Sequence, residues 1–206
     1  TNAHVLNLEL TSCNLLAAAI MMKDLSLTRL LLSRGASVDS QYNFLSGSTK
    51  TPWAGPVTFA SCPSGSLSML ELLISYRAEI HASSSNQSNM IWQCAYFGQH
   101  RMLAYLLEQG LDFQSPAYSQ NHVNVQYTPV HMAVVMGHPK CVELLLEAGA
   151  EVNTRNEEGA SPLDHAIFLC HPEVVRLLIA AGAVLVKDGR ESSLLRQTSE
   201  ETLFDS

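Results

Sequence analysis

Eight histidines, nineteen Asp and Glu residues and five cysteines give this 206-residue chain its chemically capable side chains. Asp164 and His165 lie close to Ser161, which together name the residue types of a nucleophile, a base and an orienting acid. A triad needs those groups to converge on one point, and residues sharing one short helix cannot do so. His138 and Cys141 stand three apart, but a single Cys–His pair falls far short of the four ligands of a tetrahedral zinc site. The cysteines (Cys13, Cys62, Cys94, Cys141 and Cys170) are odd in number and contain no C-x-x-C pair. Cys94, Cys141 and Cys170 sit beside aliphatic residues in helical patterns. The expectation is buried, reduced thiols in a reducing compartment. No glycine-rich phosphate loop occurs. The residues therefore assign no catalytic group, no metal and no cofactor, and the chain does not read as an enzyme.

Charge and hydropathy exclude further classes. The net charge of −7 is uneven. Residues 1–142 hold seven acids and seven bases, whereas residues 143–206 hold twelve acids and five bases. A nucleic-acid partner needs a basic stripe, and none is present. No run of 18 uncharged apolar residues occurs, so no membrane insertion is expected. Thr1 to Cys13 lacks the basic start and apolar core of a signal peptide, and without that signal Asn86-Gln87-Ser88 reads as a chance glycosylation acceptor. The missing initiator Met reads as an excised or processed piece of a longer chain.

The elements that would position these residues repeat along the chain. Leu145-Leu146-Glu147-Ala148-Gly149-Ala150-Glu151-Val152-Asn153 is a helix end followed by a turn. Its relatives begin at Leu31, Leu73, Leu106 and Leu178, which places turn residues at 35, 77, 110, 149 and 182. Two of the gaps are 33 residues, and the others are 33 plus insertions of nine and six. A helix that stops abruptly puts its next residue in the left-handed region, where glycine is favoured. Arg77 breaks that rule and predicts a strained or altered turn. Twenty-one residues before the turns at 149 and 182 stand Thr128-Pro129-Val130-His131-Met132-Ala133 and Ser161-Pro162-Leu163-Asp164-His165-Ala166. Thr or Ser caps a helix there, and Pro suits its first turn. After a short break, at Gly137-His138-Pro139 or Cys170-His171-Pro172, a second apolar helix follows.

The 33-residue period, the TPxHxA string, the GH break, the double-leucine helix and the GAxVN turn closely resemble the ankyrin repeat. The resemblance covers nearly the whole chain. It is weakest in repeat 2, where Gly55 to Ala60 needs one extra residue before Gly65. It implies an all-α solenoid of five helix–turn–helix repeats as a single domain, with short β-hairpin or loop fingers, two of them extended. Repeats would start near 14, 55, 89, 128 and 161. Residues 1–13, with Asn2-Ala3-His4-Val5 like the tail of an earlier turn, would be a partial repeat or N-terminal cap. Residues 187–206 would be a C-terminal cap or tail, in which Ser192 to Phe204 begins a sixth repeat and loses the pattern. His131 would hydrogen-bond the neighbouring turn.

In ankyrin repeats the two residues before the GH break face the concave groove. Here they are Met21 and Met22, Cys62 and Pro63, Tyr96 and Phe97, Val135 and Met136, and Phe168 and Leu169, with no charge among them. An apolar strip of this kind marks either an interface or a surface covered by the protein's own loops. The two insertions supply such loops. Ser37 to Gly55 carries Tyr42, Phe44 and Trp53. Asp112 to Tyr127 carries Phe113, Tyr118 and Tyr127 with several amides. These aromatics would either contact a partner or pin each finger to the groove. The resemblance implies an intracellular module, cytoplasmic or nuclear, that acts as a scaffold, adaptor or recruitment domain and binds a peptide or helix of another protein, one with apolar anchors and some basic charge. A small-molecule site or unusual enzyme between fingers and groove is the alternative. Asn153 matches the turn asparagine that is hydroxylated in some ankyrin proteins; otherwise it bonds within the turn.

Overall fold

The computed structural model describes residues 15–44, 53–118 and 125–185, all with side chains except 42–44, 53 and 54. Helices come in pairs: α1 (Leu15–Met21) with α2 (Leu25–Ser33), α4 (Met90–Phe97) with α5 (His100–Glu108), α6 (Pro129–Val135) with α7 (Pro139–Glu147), and α8 (Pro162–Phe168) with α9 (Pro172–Ala180). In the second pair, α3 (Leu67–Ser75) is preceded by a 3₁₀ segment, Val57–Ser61, where a first α-helix was expected. Pro56 offers that segment no capping side chain, and β-branched Val57 and Thr58 are poor helix formers. All five of its residues are nevertheless buried. Two antiparallel hairpins complete the described chain. β1 (Gln41–Phe44) pairs with β2 (Trp53–Pro56), and β3 (Ala117–Tyr118) pairs with β4 (Gln126–Tyr127). The architecture is an all-α solenoid with two extended fingers.

Helices of seven to nine residues are too short to be stable alone. Each is started by local chemistry and held by its neighbours. Asn89 accepts the Trp92 N–H at 2.9 Å, and Thr128 caps α6 in the same way. Ser161 and Asp164 form a reciprocal capping box, satisfying two otherwise orphaned donors. First helices stack as α4–α6–α8 and second helices as α5–α7–α9. One apolar core runs through the stack from Leu16 to Leu178. Residues 1–14 and 186–206, with the expected N-terminal cap and sixth repeat, lie outside the described residues.

The break between paired helices follows a rule of its own. Lys23, Gly65, Gly98, Gly137 and Cys170 all have positive φ, between 55° and 70°. Each precedes the N-cap of a second helix: Asp24, Ser66, Gln99, His138 and His171. Asp24 and Ser66 cap their own helices. Gln99, His138 and His171 do not; they reach back over the preceding repeat. Gln99 Nε2 donates to the Pro63 carbonyl and His138 Nε2 to the Tyr96 carbonyl, both at 3.2 Å. A Cβ on Gly98 would lie 2.7 Å from the His138 ring, and one on Gly137 2.9 Å from that of His171. Glycine is therefore required there by space as well as by φ. Arg77 has φ 63°, the strained turn its sequence predicts. One expectation is corrected. Cys170 is an exposed thiol, because it takes the break position, outside the helix that ends at Phe168.

Candidate functional site

The apolar pairs all fall at one edge of the stack, at the C-terminal end of each first helix. Met21, Phe97, Val135 and Phe168 are the last residues of α1, α4, α6 and α8. Met136 and Leu169 are the next residues, at the C-caps. The two members of a pair have different surroundings. Met21, Tyr96, Phe97, Val135 and Phe168 are half-buried, whereas Met22, Met136 and Leu169 are 66%, 38% and 36% exposed. Repeat 2 contributes little, since Cys62 is buried and Pro63 half-buried.

The base of the second finger explains part of that division. Trp92, Ala117, Val125, Tyr127 and Met132 form a separate buried cluster, with Tyr96 and Val135 packed against it. The Trp92 indole N–H donates to the Tyr127 carbonyl at 2.9 Å, and Tyr96 stacks on Trp92 with centroids 5.7 Å apart. Asn86 exchanges two hydrogen bonds with the Tyr118 backbone, at 2.8 and 3.1 Å. Asn89 donates to the Asp112 carbonyl at 2.7 Å. Tyr127, read from the sequence either as a partner contact or as a pin for its finger, is 3% exposed and packs in this buried cluster, as the pinning alternative requires. Tyr118 is half-buried, and the side chains of Tyr42, Phe44 and Trp53 lie outside the described residues. Sequence reasoning did not single out Trp92 or Met132. The available signal was Trp92 standing one helical turn before Tyr96.

Below the finger, Tyr127 meets His131 and His165 edge to face, and the two imidazoles lie 5.9 Å apart. His131 Nε2 donates to the Ala160 carbonyl at 3.3 Å, leaving Nδ1 to accept the Thr128 hydroxyl at 2.8 Å. Burial, reinforced by His165, lowers its pKa to about 4, so the imidazole is neutral and structural. His165 donates from Nδ1 to the Ser161 carbonyl at 3.0 Å. Ser161 and Asp164 are engaged in the helix cap. These contacts are structural ones. Burial raises the thiol pKa of Cys141 to about 12. It also raises that of Cys94, where a hydrogen bond to Cys62 adds to the effect; protonated thiols are poor nucleophiles. Asn153 is exposed and joins successive turns, donating to the Gly182 carbonyl at 3.3 Å and accepting the Val184 N–H at 2.9 Å. Among the described residues, no three His, Cys, Asp or Glu side chains converge on a metal-sized space.

A family model described as ankyrin repeats (3 copies) matches residues 57–156 and 117–188, together more than half of the chain. The chain belongs to the ankyrin-repeat family. Among curated relatives, ankyrin repeat domain-containing protein 13C of Danio rerio is 38% identical over 73 residues, covering 35% of this chain and 14% of that protein. Ankyrin repeat and SOCS box protein 6 of Mus musculus is 33% identical over 108 residues, covering 51% of this chain and 24% of that protein. The chain thus spans a quarter or less of these two relatives. Ankyrin repeats are generally protein–protein interaction modules, and proteins of the family are typically non-enzymatic binding scaffolds. No described helix is long and apolar enough to cross a membrane.

Proposed function

We propose that this ankyrin array is a recruitment or scaffold module that holds an amphipathic helix or extended peptide of another protein along the edge lined by Met22, Phe97, Met136, Phe168 and Leu169. One observation carries this reading. The second residue of the pair stays apolar and accessible in repeats 1, 4 and 5, while Tyr96 and Val135 are taken up by the finger base. Packed helices lie about 8–10 Å apart, so from repeat 3 to repeat 5 the strip offers one apolar contact per repeat at that interval, in Phe97, Met136 and Leu169, with Met22 of repeat 1 beyond the gap at repeat 2. Seven residues of a helix rise about 10.5 Å. A partner helix with an apolar residue every second turn matches that spacing. The acids concentrated in residues 143–206 favour basic residues on the partner and act mainly on the association rate. The buried thiols Cys62, Cys94 and Cys141 accord with a reducing intracellular compartment.

Met136→Ser with Leu169→Ser tests the site, because both side chains are more than a third exposed. Capture of partners from cell extract should fall strongly while the melting temperature stays within a few degrees of wild type. Capture undiminished by the double substitution would remove the strip as the binding surface.

A further inference from the structure

Sulfur is distributed unevenly over the described chain. Met69, Met90, Met102 and Met132 are buried, as are Cys62, Cys94 and Cys141. Met21 is half-buried. Among the described residues, exposed sulfur is confined to Met22, Met136 and Cys170, and all three lie on one edge of the stack. Met22 and Met136 hold the same place in their repeats, directly before the break residues Lys23 and Gly137. Cys170 is itself a break residue and follows Leu169. Met136 stands between Phe97 and Leu169, the apolar residues of the repeats on either side.

We infer that Met22 and Met136 are oxidation sites through which hydrogen peroxide releases the partner held on this edge, an inference that rests on the strip being the docking surface. The thioether sulfur attacks one peroxide oxygen, and an S–O bond forms as the O–O bond breaks. Sulfur loses two electrons and becomes a sulfoxide, while the departing hydroxide takes up the proton of the transferred oxygen and leaves as water. A thioether is apolar, flexible and polarisable, which suits it to a docking surface. A sulfoxide is polar and demands a hydrogen-bond donor. The backbone N–H groups of Met136 and Gly137 already donate to the Met132 and Val134 carbonyls, so the new oxygen finds no donor in its own turn. Covered by an apolar partner residue, it loses water without replacement. Each sulfoxide therefore weakens the interface about tenfold or more. The fold is untouched, because neither side chain belongs to the buried core.

The test uses the full chain carrying Cys170→Ser, so that thiol oxidation at this edge plays no part. Its probe is a protein from cell extract that this chain captures and that the same chain with Met136→Ser and Leu169→Ser does not. Peptide mapping during peroxide treatment should show Met22 and Met136 gaining oxygen at least about tenfold faster than Met69, Met90, Met102 and Met132, with the melting temperature within a few degrees. Affinity for the probe should then fall at least about tenfold. Methionine sulfoxide reductases with dithiothreitol should restore it. Met22→Leu with Met136→Leu keeps an aliphatic side chain without the sulfur, so its affinity, whatever the leucines set it to, should be the same before and after peroxide. Equal oxidation rates at exposed and buried methionines would overturn the proposal. So would an unchanged affinity of the oxidised chain, or an equal loss in the leucine variant. If no captured protein distinguishes the chain from the serine variant, the docking surface itself is lost and the proposal with it; the oxidation rates, read without a partner, keep the two failures apart.

Discussion

Replacing Gly98 by Ala separates two costs that a break glycine normally combines. Its φ of 70° costs an L-residue about 1–2 kcal/mol. The new Cβ would also stand 2.7 Å from the His138 ring, too close to be absorbed without moving the imidazole. That movement would break the His138 bond to the Tyr96 carbonyl, a net contribution of about 1 kcal/mol. The total should be about 2–3 kcal/mol. Gly149 is the internal control: its φ is 95°, but nothing lies within 4 Å of the Cβ it would gain. Gly149→Ala should therefore show the strain alone, about 1–2 kcal/mol. Urea denaturation of both variants, and of Gly98→Ala combined with His138→Ser, reads the difference. Shortening His138 should make the double variant less destabilised than the sum of the two single changes. Equal costs for Gly98→Ala and Gly149→Ala, with additive behaviour in the double, would refute the overlying-residue account.

Trp92→Phe should cost about 2–4 kcal/mol, because a buried hydrogen bond to Tyr127 and part of the finger-base packing disappear together; hydrogen exchange at residues 117 and 127 should rise with it. Leu145→Ala, at a fully buried position, should cost about 2–5 kcal/mol by chemical denaturation. For His131 the folded pKa of about 4 lies below its ordinary 6.5, so the unfolded chain binds the proton first. Its contribution is present in full above pH 6.5 and falls away towards pH 4, about 3 kcal/mol across the window. In His131→Gln the pH dependence of stability should be flatter over that range.

The repeat was legible in the sequence because its determinants are local. A cap, a first-turn proline and a left-handed turn residue each act within a few positions, and five imperfect copies set the period. Arg77 was legible for the same reason. Its neighbours specify the turn, and the turn dictates φ whatever residue occupies it. The fate of the aromatic fingers was not legible. Tyr118 and Tyr127 look alike in sequence, yet Tyr127 is buried because Trp92, thirty-five residues away, holds its carbonyl, and no local pattern encodes that pairing. The exposure of Cys170 was hidden too, since it depends on what the next repeat places above it.

That dependence gives the break position its meaning. Where the next repeat supplies a long N-cap residue, Gln99, His138 or His171, the residue beneath is glycine. Above Lys23 the next N-cap is Ser66, which is short and bonds its own helix at Met69. A side chain is tolerated below it despite a φ of 59°. The N-cap therefore acts locally, closing its own helix, or at long range, tying repeats together, and the glycine below reports which. Cys170 has the same positive φ and keeps its side chain, so the rule predicts that whatever covers repeat 5 brings no long side chain over that point. The outer face of α8 and α9 is instead aliphatic, at Ile167, Ile179 and Leu185.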